Sequence, residues 1–278
     1  MKHDAAMTGF TSDWLSLREP ADTAARDVTL TTRLVEMTRR QSPVRFIDLG
    51  CGTGANQRYL APRIAGPQEW LLVDSDAALL DQARQTSRWP VDAHCIDLAT
   101  GLDALPIAAE VVVTASALLD LVSDSWLMRL IGRCRSGGAV AFFALSYDGR
   151  MTFAPSDVDD EWIRRLVNRH QLNDKGFGPA LGPEAALRAC DRFAEASYDV
   201  RSARSDWNLE PHDSPLQQRL IEGWARAAAE VAPDESARCH GWLERRLAHI
   251  TRGDSRINVG HQDVLASPRS LRNSFHES

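Results

Sequence analysis

The chain has 278 residues, enough for one large domain or one domain with insertions, and its 44% hydrophobic and 25% charged content is ordinary globular composition. A formal charge of −6, with Lys2 and Lys175 the only lysines among 32 basic residues, argues against a basic footprint for nucleic acid. Five scattered cysteines without a C-x-x-C, a start (MKHDAAMTGF) unlike a signal peptide, and no apolar run near ~18 residues argue against a zinc site, a disulfide framework and membrane insertion, and point to a cytoplasmic protein.

In chain order, residues 1–12 read as a loose tail. Leu30, Leu34 and Met37 at helical spacing predict a helix over about 23–40, with Pro20 interrupting the segment before it and Trp14 and Leu15 as its anchors. Next comes VRFIDLGCGTG, residues 44–54. Its apolar run carries one acid, Asp48, and breaks into Gly50, Gly52 and Gly54. Buried parallel strands read as such runs, and glycines at a strand's end permit a tight turn and close approach of backbone to a ligand. Residues 56–60 fit the first turns of a helix, so the stretch makes a nucleotide-type site. Its spacing is acid-x-G-x-G-x-G, and Ala55, Asn56 and Gln57 stand where G-x-G-x-x-G would need its last glycine.

The alternation continues. A helix around 55–65 leads to a strand, EWLLVD, ending on Asp74. An acid about twenty residues past the glycines is where a nucleotide-binding fold holds ribose hydroxyls. Ser75 or Asp76 caps a helix burying Leu79, Leu80 and Ala83. A third strand, VDAHCID, ends on Asp97, and a fourth, AEVVVTAS, ends on Ser116. Each acid alone reads equally as a cap or turn residue; three acids closing successive strands do not. A helix with Trp126, Leu127, Leu130, Ile131 and Cys134 on one face stops at Gly137-Gly138, and AVAFFALS follows as a fifth strand.

Over residues 44–146 these elements resemble the class I S-adenosylmethionine-dependent methyltransferases. The resemblance implies a Rossmann-like α/β fold, a doubly wound, seven-stranded, mostly parallel sheet with helices on both faces. It also implies S-adenosylmethionine as cofactor, S-adenosylhomocysteine as product and no metal. The cofactor would meet Asp48, Gly50, Cys51, Gly52, Gly54 and Asn56, with Asp74 and Ser75 at the ribose, Asp97 and the Leu98 amide at the adenine, and Ser116 beside the sulfonium. The N-terminal stretch, residues 1–43, would be a helical cover from which Arg18 or Arg26 meets the methionine carboxylate; the plainer reading is an Arg solvated beside Asp22 or Asp27.

Beyond Ser146 the resemblance loosens. Residues 147–182 are long for a connection and carry an acidic helix start and GFGPALGP, which suggests a lid. A helix at about 183–195 is expected to turn Leu187, Cys190 and Phe193 inward. The strands YDVRSARSDW and RINVGHQDVLASP would form a closing antiparallel hairpin, with two amphipathic helices at about 214–250 inserted between them. Asp120 stands where relatives often place a histidine facing the acceptor, and His261 with Asp263 is a candidate base pair; the plainer readings are a loop-solvated acid and a pair that only hydrogen-bonds the hairpin. Tyr147, Trp162, His170 and Trp207 are candidate pocket residues, or core. The function expected is methyl transfer to O or N of a small molecule by a monomer or homodimer. A protein or RNA acceptor, or a non-catalytic cofactor-binding module, are the alternatives.

Overall fold

The computed structural model describes residues 10–269. The tail expected over 1–12 lies outside them up to residue 9. Ser12 already opens α1 (Ser12–Ala25), capped by Thr11, which accepts from the Trp14 amide. Pro20 lies inside this helix and does not end it. The chain turns at Arg26 instead, because Asp27 caps α2 (Val28–Thr38) by accepting from the Leu30 amide.

Then come β1 (Val44–Leu49), α3 (Ala55–Leu60), β2 (Gln68–Asp74), α4 (Ala77–Thr86), β3 (Val91–Cys95), α5 (Leu98–Gly101), β4 (Val111–Ser116), α6 (Asp124–Gly137) and β5 (Val140–Ala154). The last part holds α7 (Asp160–Gln171), α8 (Ala185–Glu195), β6 (Tyr198–Arg204), β7 (Trp207–Leu209), α9 (Ser214–Val231), α10 (Ser236–Arg252) and β8 (Arg256–Pro268). The strand order is β3-β2-β1-β4-β5-β8-β6, parallel from β3 to β5, with β8 antiparallel between β5 and β6. The eighth strand, absent from the sequence reading, is the short β7, which pairs with the first half of β8. Order reverses at the β1/β4 junction, and the loops after those strands diverge there, which is where open α/β sheets bind ligands.

Period-2 alternation sorts β1 between two cores. Ile47 and Leu49 face α6 and α8, while Val44 and Phe46 face α2, α3 and α4. A third apolar core joins α7, α9 and α10 to β7 and the ends of β5 and β8, with Trp14 and Leu17 of α1 packed against it.

Two sequence expectations change. The segment 147–182 starts inside the sheet, since β5 runs to Ala154, and α7 buries Ile163 and Val167 in the third core. On α8 the inward face is Ala185, Ala186, Ala189 and Phe193. Leu187 is 63% exposed and Cys190 half-buried, because residues 186, 189 and 193 share one face at i, i+3, i+7 spacing and positions 187 and 190 each stand one residue further round the helix.

Candidate active site

Asp48, second-last in β1, points to the same face as Phe46 and so meets α3. Its carboxyl is fully buried; Oδ1 accepts from Asn56 Nδ2 at 2.7 Å, and Oδ2 has no hydrogen-bond partner. Burial pushes this carboxyl up to about 7, against the Asn56 hydrogen bond and the Arg26 charge. Asn56 is a hub. Its Nδ2 also reaches Thr114 Oγ1 (3.1 Å), the β4 residue in register with Asp48, and its Oδ1 accepts from Arg26 Nη1 at 2.9 Å.

Arg26 comes from the turn between α1 and α2. It is buried between the rings of Tyr59 (4.4 Å) and Phe142 (5.3 Å), and its Nε and Nη2 have no hydrogen-bond partner. The nearest carboxylate to Nε is Asp263 at 3.7 Å, beyond hydrogen-bond range. Desolvation lowers its pKa, with Asp263 the first charge opposing.

Gly50, Gly52 and Gly54 all have φ between +52° and +84°. A Cβ on Gly52 would stand 2.9 Å from Leu15 of α1, so the cover rests directly on the loop. Asp74, ending β2, accepts from the Gly52 amide (2.8 Å) and the Asp76 amide (3.0 Å), which ties the second strand end to the loop. Cys51 is buried, and burial pushes its thiol up. Ser75 and Asp97 are exposed at the strand ends. Asp97 caps α5 by accepting from the Ala99 amide, and the buried Leu98 gives its carbonyl to Trp126 Nε1.

Ser116 and Arg26 share a narrow cleft with Glu19, Asp22, Thr23, Ala55, Asn56 and Tyr59, about 10 Å³ in volume. That is below the roughly 300–1,000 Å³ of ligand pockets, because α1 closes it from above through the Glu19–Arg58 ion pair at 2.6 Å. A wider groove of about 360 Å³ runs along α6 and α8, lined by Asp124, Leu172 and Arg192 among others, but none of the predicted site residues lines it.

Arg18 does not line the narrow cleft. It forms a two-pronged pair with Asp22 (2.9 and 3.1 Å) over the Trp207 ring, centroid 5.0 Å away, and Trp207 Nε1 donates to Asp22 at 3.0 Å. Trp207 lies against His261 (4.9 Å), which meets Tyr147 edge-on (6.1 Å). Asp120 lies in the loop after β4, 7% exposed, with Oδ1 unpartnered; burial pushes it up to about 6, opposed by backbone amides and by Arg18. His261 is buried too, and desolvation followed by the Arg18 charge lowers it to about 3. Its Nδ1 lies 3.1 Å from the Val259 carbonyl, so Nδ1 carries the proton and Nε2 a lone pair.

Five sequence-predicted residues from distant segments, Arg18, Asp120, Tyr147, Trp207 and His261, therefore stand together. Asp263 is not His261's partner: it accepts from the Leu145 and Asp27 amides. Trp162 and His170 lie elsewhere, on α7, against Arg238 and Glu230. Sequence reasoning missed Thr114 and the contact that Asp22 makes with Trp207. Thr114 was legible as a hydroxyl inside an apolar strand run, and Asp22 was read only as an arginine's i,i+4 partner, not as a link to Trp207. Among the described residues no group of three or more His, Cys, Asp or Glu is placed to hold a metal ion, and no helix is long and apolar enough to cross a membrane.

The orphaned nitrogens of Arg26 beside a glycine turn fit a zwitterionic nucleoside cofactor: a buried cation for its carboxylate, and backbone free of Cβ for close approach. Comparison with known proteins agrees. The family described as "Methyltransferase domain" matches residues 46–138. No curated protein sequence matches the chain. Among solved structures, a cyclopropane-fatty-acyl-phospholipid synthase-like protein from Lactobacillus casei shares 12% identity at a TM-score of 0.54, covering 92% of this chain and 94% of its own. The cyclopropane synthase MmaA2 from Mycobacterium tuberculosis shares 11% identity at 0.50, covering 94% and 95%. At such identities these two establish the fold alone. Residues 46–138 therefore match a methyltransferase domain, carried on the Rossmann-like sheet described above.

Proposed function

We propose that the enzyme methylates O or N of a small-molecule acceptor enclosed between α1 and the loop after β4. The observation that carries this reading is the cluster of Asp120, Tyr147, Trp207 and His261, which adjoins the narrow cleft through Asp22 and is shut from solvent by α1. An enclosed wall of this kind suits a molecule that can be engulfed, not a surface residue of a macromolecule. In addition, α9 and α10 expose no large apolar side chain on which a protein partner would dock.

Bound S-adenosylmethionine supplies a methyl group on a sulfonium, already electrophilic, so the chain's task is alignment and proton handling. Arg26 Nε and Nη2 are the charge-assisted donors for the methionine carboxylate, Asp74 is the acceptor for ribose hydroxyls, and Asp97 with the Leu98 amide serves the adenine. Ser116 closes the same cleft. Asp120, ionised at neutral pH but with a carboxyl raised by burial, is suited to hold the proton of an acceptor hydroxyl or ammonium. His261 offers a permanent lone pair at Nε2.

The test is label transfer. With methyl-labelled S-adenosylmethionine and a dialysable metabolite fraction, label is expected in small molecules, and transfer should fall ~100-fold in Asp120→Asn while S-adenosylhomocysteine still binds. Label found instead in protein or RNA would overturn the reading.

A further inference from the structure

Arg18 occupies an unusual position for a cover-helix arginine. Its guanidinium lies over the Trp207 indole, and its charge is felt by both the Asp120 carboxyl and the His261 ring. Both of the latter side chains are more than nine-tenths buried, and Asp120 Oδ1 has no hydrogen-bond partner. Other cations nearby are already engaged. Arg150 is bound by Asp148 (2.5 Å) and Asp206 (2.7 Å), and Arg164 by Glu161 (2.7 Å). Arg18 and its partner Asp22 both ride on α1, which must shift because the closed cleft is smaller than a nucleoside ligand needs.

When α1 lifts, it takes one positive and one negative charge with it. The wall left behind is an indole face, a buried carboxylate, a phenol and an imidazole lone pair, all electron-rich, with no unpaired cation among them. An anionic acceptor would be repelled by Asp120. A neutral one would leave that carboxylate buried and unpaired, which is costly. A compact cation satisfies both the carboxylate and the ring.

We propose that Trp207, Asp120 and His261 form a subsite for the ammonium group of a cationic acceptor, and that Arg18 is its internal stand-in while α1 is closed. The proposal rests on the methyltransferase reading and narrows its acceptor to amines, or to molecules carrying an ammonium beside the methylated atom.

The experiment is calorimetric, on the full chain saturated with S-adenosylhomocysteine. Choline is titrated against its neutral isostere 3,3-dimethylbutan-1-ol. Arg18→Ala, and Arg18→Gln as a variant that keeps most of the side-chain stem, should bind choline about tenfold more tightly than the parent, with no such gain for the isostere. Adding Asp120→Asn or Trp207→Leu to Arg18→Gln should remove most of that gain. Equal binding of choline and isostere, or a choline affinity indifferent to Asp120→Asn, overturns the proposal. If S-adenosylhomocysteine binds normally in those same samples, the methyltransferase reading survives that failure. If it does not bind even to the parent, both fall together.

Discussion

Asp48 is a fully buried carboxyl with one oxygen left without a partner. In the unfolded chain its carboxyl releases a proton near 3.8; in the folded chain burial holds that proton to about 7. Between those values the folded state binds more protons than the unfolded state, so this group's contribution to stability declines as pH rises from about 4 to 7. Asp48→Asn keeps the acceptor for Asn56 Nδ2 and removes the ionisation. The stability difference, variant minus parent, should therefore grow by about 2–4 kcal/mol across that window and level off above it, as read from urea melts at each pH. His261, whose lowered pKa acts with the opposite sign, is common to both proteins and cancels. A difference that stays constant with pH would mean Asp48 is ionised throughout. Arg26 gives a second test at this scale: Arg26→Gln should weaken S-adenosylhomocysteine by roughly 1.5–3 kcal/mol, the range for charge-assisted hydrogen bonds. Unchanged affinity would leave Arg26 a packing residue held between Tyr59 and Phe142.

Among the elements, α1 is the one in contact with both halves of the site, through Leu15 on the glycine loop, Glu19 on Arg58 and Asp22 on Trp207. It has no fully buried residue, whereas α7 buries Ile163 and Val167 and is pinned from α10 by Trp242 and Arg246 on Asp160. Local opening draws on segments with little buried apolar surface. Amide exchange over 12–25 should thus be fast in the free protein and slow with S-adenosylhomocysteine, while 160–171 stays protected in both. The reverse pattern would make the segment 147–182 the moving cover after all.

This division was only partly legible in the sequence. The strand acids Asp48, Asp74 and Asp97 and the glycine loop are local signals, set by neighbours within a few residues, and the family model covering them matches residues 46–138. Trp207 meeting Arg18, or Arg26 meeting Asn56, joins segments 189 and 30 residues apart, and no periodicity reports such contacts. The same holds for α7, whose acidic start was read as part of a lid. Its aspartates are there to receive Arg238, Arg245 and Arg246.

At the scale of the whole molecule, the parallel strands β3-β2-β1-β4-β5 present the cofactor loops at one edge, and the antiparallel β8 carries His261 and Asp263 back to that edge from the far end of the chain. The helical layer of α7, α9 and α10 then packs on the ends of β5 and β8, the side on which the acceptor is proposed to bind. Everything proposed about acceptor and cover depends on this edge binding S-adenosylmethionine and not a dinucleotide. Calorimetry on the purified chain decides that most directly. One S-adenosylhomocysteine should bind per chain, and Gly52→Val should abolish binding, since the residue has φ +52° and its Cβ would sit 2.9 Å from Leu15 where backbone has to approach the ligand. Binding of a nicotinamide dinucleotide in place of S-adenosylhomocysteine, or S-adenosylhomocysteine binding undiminished in Gly52→Val, would contradict the account.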